Sequence, residues 1–319
     1  MPGDLYCGDN LDVMRRHVAS GSVDLICLDP PFNSDRTYSL IHKGAKAPEL
    51  AFVDTWTWDD DAESAFRELT DRVPPGADVP APLREMMLAL RAFLRDHRDM
   101  MAYLSMMAIR LVEMRRVLRK TGSIYVHCDA SASHYLKLIL DTLFGPENFR
   151  REIIWRSGWV SGFKTRTANW VRNHDTILYY LRDRREAFTF NKNLAYKPHA
   201  DGYKRRGGGG NPKGVAIDDV WDEVALYSPW IKSFSTEKLG YMTQKPLALL
   251  ERIVSVSSNE GDLVLDPFCG CGTTVEAAET LGRKWIGIDV AARAIEMVKD
   301  RLDRKFAPRV WRAHRHRRS

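Results

Sequence analysis

Two apolar runs, each closed by an Asp-Pro step, set the limits on how this chain can fold. VDLICLDPPF occupies residues 23–32 and VLDPFCGCGTT residues 264–274. Each run is short, almost unbroken in its apolar character and stopped by proline, as expected for a strand buried on both faces of a parallel sheet. Open α/β sheets hold their ligands just beyond such strand ends. A chain carrying one run near each terminus reads as an α/β domain whose site is assembled from distant segments. The rest of the pattern agrees. Strands are predicted over 4–9, 123–128, 151–156, 175–181, 263–266 and 284–289, and helices over 100–119, 133–144, 247–256, 273–281 and 291–305, with a short helical piece in NLDVMRRH. Strand–helix alternation of this kind argues for an open sheet with helices on both faces.

Two stretches depart from that rhythm. Residues 33–99 contain WTWDDD at 56–61 and the Pro-rich VPPGADVPAP at 73–82, neither of which resembles a core element. The stretch therefore reads as an insert or lid beside the site. Beyond residue 182 periodicity is lost, and YKRRGGGGNPKG at 203–214 is basic and flexible by composition. By contrast, Met101, Leu104, Met107, Ala108, Leu111, Met114 and Leu118 recur at three- and four-residue intervals, which is a helix face packed in a core.

Bulk properties exclude several classes. At 319 residues and 44% hydrophobic content the chain can bury a full core. It has no apolar run of eighteen residues, and MPGDLYCGDN lacks the apolar centre of a signal peptide, so a cytoplasmic location with no membrane partner is expected. The five cysteines form no C-x-x-C pair and have no His cluster beside them, so neither a disulfide framework nor a metal site is expected. The net charge is +6, and residues 304–319 hold seven Lys or Arg and no acid. Such a tail can neutralise phosphates or serve as a solubilising end.

The second run has the chemistry of a cofactor seat. Gly270 and Gly272 let backbone approach a ligand where a side chain would collide. Thr273 and Thr274 open a helix whose free N–H groups favour polar or anionic ligand groups. Asp289 closes the next strand, where an acid accepts hydrogen bonds from ribose hydroxyls. The third glycine of G-x-G-x-x-G is absent, and no Lys follows Gly272, which argues against dinucleotide and ATP loops. The first run ends in Asp29, Pro30, Pro31 and Phe32. Asp29 can accept a hydrogen bond from an amino group, the Pro30 carbonyl can accept another, and Phe32 can stack on a planar ring. These features suit an aromatic amine. The lone pair of such an amine is delocalised, and two acceptors on its hydrogens favour the tetrahedral geometry it needs for attack. His127 and Asp129 end the 123–128 strand near this pocket by topology, without an assigned catalytic role.

These residues resemble the amino-group DNA methyltransferases of bacteria, in the beta order that puts the catalytic DPP-aromatic motif before the cofactor motif. The resemblance covers nearly the whole chain. It implies a Rossmann-like S-adenosylmethionine-dependent methyltransferase fold, circularly permuted in motif order, with an inserted target-recognition region. GDN at 8–10 resembles the family's strand end near the cofactor adenine, which implies Asp9 and Asn10 as contacts. QKP at 244–246 resembles its methionine-side motif, which implies Lys245 and Pro246. DPFCGCGTT resembles the DPFxGxGTT loop, which implies Asp266, Pro267, Phe268, Gly270, Gly272, Thr273 and Thr274. GIDV resembles the ribose strand end, which implies Asp289. The resemblance makes Asp29, Pro30, Pro31 and Phe32 catalytic, with Asp29 also facing the cofactor.

The implied organisation is a catalytic half over 1–185 with the insert at 33–99, a target-recognition region over 186–243, a cofactor half over 244–305 and a basic tail over 306–319. Lys192, Lys197, Lys204, Arg205, Arg206 and Lys213 are candidates for phosphate or base-edge contacts. The cofactor implied is S-adenosyl-L-methionine, and the substrate is the N6 amino group of adenine in a base flipped out of duplex DNA. The N4 of cytosine is the alternative, since both use the same acceptors. An RNA or protein-glutamine methyltransferase and an inactive DNA-binding regulator are weaker alternatives. Double-stranded DNA, a second copy of the chain and a separate restriction endonuclease are the implied partners, in a bacterial, nucleoid-associated setting.

Overall fold

In the computed structural model the described residues are 3–33, 36–40, 49–73, 78–160, 166, 168–199, 211–229, 237, 239, 241, 243–306 and 311–315. In chain order the amino-terminal elements are β1 (Gly3–Cys7), α1 (Asn10–His17), β2 (Val23–Leu28), β3 (Arg36–Leu40), β4 (Glu49–Asp54), α2 (Asp60–Thr70), α3 (Ala81–Phe93), α4 (Arg98–Val117), β5 (Leu118–Cys128) and α5 (Ser133–Phe144). There follow β6 (Phe149–Arg156), β7 (His174–Leu181), and the two-residue strands β8 (Tyr196–Lys197), β9 (Val215–Ala216) and β10 (Val220–Trp221). The carboxy-terminal elements are α6 (Leu247–Ser257), β11 (Leu263–Asp266), α7 (Thr273–Thr280), β12 (Lys284–Asp289), α8 (Ala292–Lys305) and β13 (Trp311–Arg315).

Nine strands form one sheet in the order β10-β6-β7-β5-β2-β11-β12-β1-β13. Every neighbouring pair is parallel except those of β7, which runs antiparallel to both β5 and β6. Alternation along the strands splits the core into two layers. Ile26, Leu28, Ile124 and Val126 face a cluster with the buried sides of α1 to α5, including Met101, Met107 and Met114. Leu25, Cys27, Tyr125 and Trp285 face the other cluster, with α6, α7 and α8. The sheet is therefore covered on both sides, as the unbroken apolar runs require.

The motif order acquires its meaning here. β11 pairs with β2, placing Val264 opposite Leu25 and Leu265 opposite Ile26. The two Asp-Pro steps thus end adjacent strands at one rim of the sheet. The reversal of β7 brings its first residues, His174 and Asp175, to that same rim.

Three expectations need correction. The 100–119 helix stops at Val117, and β5 begins at Leu118, ahead of the predicted Ser123. Leu118 is buried and pairs with Val23, and Gly122 lies so close to Asp24 that a Cβ there would come within 2.9 Å of its carbonyl oxygen. Residues 33–99 hold two regular helices as well as the β3–β4 hairpin. Asp59 caps α2 through Ala62 N–H at 2.9 Å, and Phe66, Leu69, Leu83, Met87 and Leu90 belong to the main core. The basic tail includes an edge strand: β13 pairs in parallel with β1, and Asp4 accepts from Arg312 at 3.0 and 3.1 Å. Residues 307–310 and 316–319 lie outside the described residues. Among the described residues, no helix is long and apolar enough to cross a membrane.

Candidate active site

A cleft of about 320 Å³ runs along the rim formed by the ends of β1, β2, β11 and β12. Asp29, Pro30, Pro31 and Phe32 line one part of it. The loop is held by a residue of the insert: the buried Asp54 carboxylate, at the end of β4, accepts from Phe32 N–H at 3.2 Å and Asn33 N–H at 2.8 Å. Asn33 takes a left-handed backbone conformation (φ 57°) directly after the loop. Proline cannot donate from its nitrogen, so this clamp engages the two residues after the Pro-Pro pair.

Asp29 sits deep in protein, with 28% of its side chain open to the cleft. Its Oδ1 is 2.5 Å from His127 Nδ1, and its Oδ2 accepts from Lys245 Nζ. Burial pushes the Asp29 carboxyl up, but Lys245 and His127 together outweigh burial and hold it below its ordinary range. Lys245 Nζ also stands 5.6 Å from the centre of the Phe32 ring, and Phe32 meets His127 edge-on at 5.0 Å. Lys245 thus has its charge on the Asp29 carboxylate, although the sequence reading assigned it to the cofactor alone.

The network continues outward. His127 Nε2 lies 3.4 Å from Asp175 Oδ2, an ion-pair distance without a hydrogen bond of good geometry. Burial and Lys245 push the His127 imidazole down, while Asp29 and Asp175 outweigh them and raise it above its ordinary value. Asp175 also accepts from Arg172, which reaches Asp129 at 3.3 Å. Asp129 is a structural acceptor: its Oδ1 takes Ser131 N–H at 2.9 Å at the start of α5. Acidic and basic groups alternate from the cleft through Lys245, Asp29, His127 and Asp175 to the half-exposed Arg172, which turns back to the buried Asp129. Sequence reasoning missed Asp54 and Asp175 and gave His127 no role. A polar strand end in VHCD and a His-Asp pair opening β7 were the signals available.

The cofactor loop lies on the other side of the cleft. Asp266 ends β11, and its Oδ1 accepts from Phe268 N–H at 3.1 Å. Burial raises its carboxyl to about 7. Cys269 N–H bonds Ile288 O at 2.9 Å, fixing the loop to β12. The Asp289 carboxylate accepts from Gly270 N–H at 2.9 Å and Ala291 N–H at 2.8 Å, and burial raises it too. Gly270 (φ +49°) leaves room that a Cβ would take from the Tyr241 ring, 3.3 Å away. Gly272 (φ +79°) caps α7 against Val298, where a Cβ would come within 2.9 Å. Pro267, Phe268, Thr273 and Thr274 line the cleft with these residues, while Gly272 and Pro246 support it from behind, Pro246 as the cap of α6.

Asp9 and Asn10 also line the cleft, but their side chains act inward. Asp9 caps α1 through Leu11 N–H at 2.9 Å and pairs with Arg110 at 2.7 Å. Asn10 accepts from Arg110 Nε at 2.6 Å and donates to Pro267 O at 2.7 Å, tying α1 to the cofactor loop. Arg110, set in the apolar middle stretch of α4, anchors both.

The residues fit S-adenosyl-L-methionine. A glycine cradle, an acid at the end of β12 and the exposed Val290 beside it (73% exposed) offer a polar edge and an apolar shelf for a nucleoside. Asp266, buried and half-protonated near neutrality, suits the cationic end of an amino acid. In the target-recognition region, Lys192 and Lys213 are exposed and Lys197 is 3.6 Å from Glu223. Lys204, Arg205 and Arg206 lie outside the described residues.

Comparison with known proteins adds to this geometry. A family model described as DNA methylase, of the N6/N4 methyltransferase type, matches residues 23–300. Type II methyltransferase M.BamHI from Bacillus amyloliquefaciens is 28% identical over 316 residues, covering 95% of this chain and 57% of that protein. DNA adenine methyltransferase YhdJ from Escherichia coli (strain K12) is 32% identical over 200 residues, covering 60% of this chain and 64% of that protein. The chain spans between 52% and 64% of the length of the curated relatives it matches. The crystal structure of TTHA0409 from Thermus thermophilus, complexed with S-adenosyl-L-methionine, has a TM-score of 0.54 at 17% identity and covers 98% of this chain and 99% of that one. At that identity the likeness is one of fold: the Rossmann-like fold of S-adenosylmethionine-dependent methyltransferases, with catalytic and cofactor motifs in permuted order.

Proposed function

The chain belongs to the N6/N4 family of DNA methylases, and from that premise we propose that it methylates the N6 amino group of adenine in a base rotated out of duplex DNA. The observation that carries this reading is Asp29: a carboxylate held ionised beside the Phe32 ring, in the same cleft as a nucleoside cradle. The aspartate that opens DPPF and the 32% identical relative named as a DNA adenine methyltransferase support adenine over cytosine.

S-adenosyl-L-methionine, when bound, supplies a methyl group made electrophilic by its sulfonium. The protein has to hold the amine in line with that methyl. Asp29 accepts a hydrogen bond from the amino group and draws it toward tetrahedral geometry, while Phe32 stacks on the ring. As the new N–C bond forms and the S–C bond breaks, the nitrogen is left with one proton too many, and the Asp29 carboxylate is the base that receives it. Lys245 makes contacts the target amine itself needs, an N–H on Asp29 and a position beside Phe32. It withdraws from Oδ2 as the base enters. His127 keeps Oδ1 and holds the carboxylate in place.

The test is methylation mapping of DNA from a host expressing the protein, together with transfer of labelled methyl from S-adenosyl-L-methionine into duplex. Label in N6-methyladenine at one sequence supports the proposal. Label confined to N4-methylcytosine replaces adenine with the second base, and preference for RNA or peptide over duplex defeats both. Duplex DNA, a second copy of the chain and a separate restriction endonuclease are the partners proposed on family grounds.

A further inference from the structure

We propose that the described residues of the β6–β7 connection meet the DNA duplex, and that Trp170 stacks into the duplex where the target base leaves it. This inference rests on the proposed function and names the element that opens the substrate. Residues 156–172 carry Arg156, Lys164, Arg166 and Arg172 with no Asp or Glu, interleaved with Trp159, Phe163 and Trp170. Cations next to flat rings suit a polyanion that also presents π-faces, which describes a nucleic acid.

The fold places this loop where it would be needed. Within the nine-stranded sheet β7 is reversed, so the chain leaves β6 and enters β7 at the rim that holds Asp29. The base of the loop is closed by Ser157 N–H to Asn173 O at 3.2 Å and by Asn173 Nδ2 to Gly158 O at 2.6 Å. Two residues beyond Trp170, Arg172 bonds Asp129 and Asp175, and Asp175 leads through His127 to Asp29. The loop is thus braced against the catalytic network by Arg172.

The two described tryptophans of the loop differ. Trp159 is 46% exposed and packs edge-on against Tyr227 at 5.0 Å, so the fold itself uses that ring. Trp170 is 95% exposed, with its backbone N–H held by Asn169 Oδ1 at 2.7 Å. Folding gains nothing from an indole kept in water. Rotating a base out leaves a gap between its neighbours, and a two-ring plate inserted there restores lost stacking. Arg166, exposed on the same loop, suits the flanking phosphates.

The experiment compares wild type, Trp170→Ala and Trp170→Phe on duplexes bearing the mapped site. Trp170→Ala should lose about tenfold in kcat/KM on the matched duplex, the effect of one lost base–aromatic stack. The loss should shrink to within about twofold on a duplex with an abasic position opposite the target, where stacking is already broken. Trp170→Phe should recover most of the matched-duplex rate. The emission of wild type minus that of Trp170→Phe should be quenched by duplex. Equal losses on both duplexes, or none on either, overturn the proposal. If the wild type transfers no methyl to any DNA, the proposed function fails instead. Quenching by mixed-sequence duplex then decides separately whether Trp170 meets DNA.

Discussion

Asp29 and Asp266 sit at the ends of neighbouring strands, β2 and β11, and line the same cleft, yet their protons are held in opposite ways. Both carboxyls are pushed up by burial. Around Asp29 the partners are the Lys245 ammonium and the His127 imidazole, whose pKa is raised toward its cationic form, and the carboxylate stays ionised below its ordinary range. Around Asp266 the partners are neutral donors, Phe268 N–H and the Thr274 hydroxyl, and the carboxyl rises to about 7. The difference matches the two tasks proposed for them. An acceptor for an uncharged amine must be ionised before the amine arrives, so its cations come from the protein. A seat for a cationic ligand can leave the counter-charge to that ligand. One half of the cleft carries its own electrostatic partners, and the other half waits for them.

The largest expected effect tests the first half. Asp29→Ala should reduce methyl transfer by at least about 10²–10³-fold, the range for removing a group aimed at the reacting centre. Calorimetric affinity for S-adenosyl-L-methionine should stay within about threefold of wild type. A variant that turns over normally would remove Asp29 from the chemistry. One that also loses cofactor would erase the division between the halves. The mirror variant is Asp289→Ala. Loss of a hydrogen-bonding carboxylate should weaken cofactor binding by about 10–100-fold, taking about 1.5–3 kcal/mol for hydrogen bonds to a charged group. At saturating cofactor the turnover should remain near wild type, and a matching fall in kcat would show that the loop serves the methyl acceptor too.

These two variants test residues that were legible in the sequence, and the reason is local. DPPF and DPFCGCGTT are contiguous, and glycine, proline and acid at fixed offsets carry their mechanism with them. That both runs are buried strands ending at a site was readable from their unbroken apolar character, whereas their pairing as neighbours is a finding of the structure. What escaped depends on contacts between distant segments. Asp54 reaches the catalytic loop from a hairpin whose sequence gives no sign of a clamp. Asp175 meets His127 because β7 is reversed, and strand direction is not written in strand composition. The α2 helix was within reach, since Asp59 caps an Ala62–Phe66–Leu69 stripe, but the Pro-rich break behind it dominated the reading of 33–99. The β13 strand has only Trp311 and Ala313 as apolar residues, too short a pattern to mark a strand within a basic tail. It pairs because β1 offers an open edge and Asp4 takes Arg312 and His314.

A smaller effect tests the protein-supplied cations. His127→Asn removes the partner on Asp29 Oδ1 and should cost about tenfold in kcat, about 1.4 kcal/mol. Its signature is the pH profile. Asp29 is held down partly by His127, so its pKa climbs when the imidazole is lost, and the acid limb of the rate profile moves to higher pH. The pairing of Asp29 stabilises the fold above its unfolded pKa and is lost as pH falls through its depressed folded value. His127, raised in the fold, contributes below about 6.5, its ordinary value, and loses that contribution as pH rises through its folded pKa. A rate loss with an unmoved acid limb would make His127 a packing residue only, set edge-on to Phe32.

The smallest effect tests the half that waits for its counter-charge. Asp266 has a folded pKa of about 7 against an ordinary 3.8, so the fold takes up a proton there relative to the unfolded chain, and stability falls as pH rises between those values. At pH 7 the carboxyl is about half protonated. A cationic ligand group placed beside it favours the ionised form, so binding of S-adenosyl-L-methionine should release up to about half a proton per site. Calorimetry at pH 7 in two buffers of different ionisation enthalpy reads that release as a difference in apparent binding heat. The difference should fade by pH 8.5, where Asp266 is already ionised, and should vanish in Asp266→Asn. Asp289 is also raised by burial, but its oxygens are already bonded to Gly270 and Ala291 N–H groups, so the release should follow Asp266. Binding heats that are the same in both buffers would mean that Asp266 keeps its proton with ligand bound. The contrast between the two aspartates would then be one of burial alone, with no part in holding the cofactor.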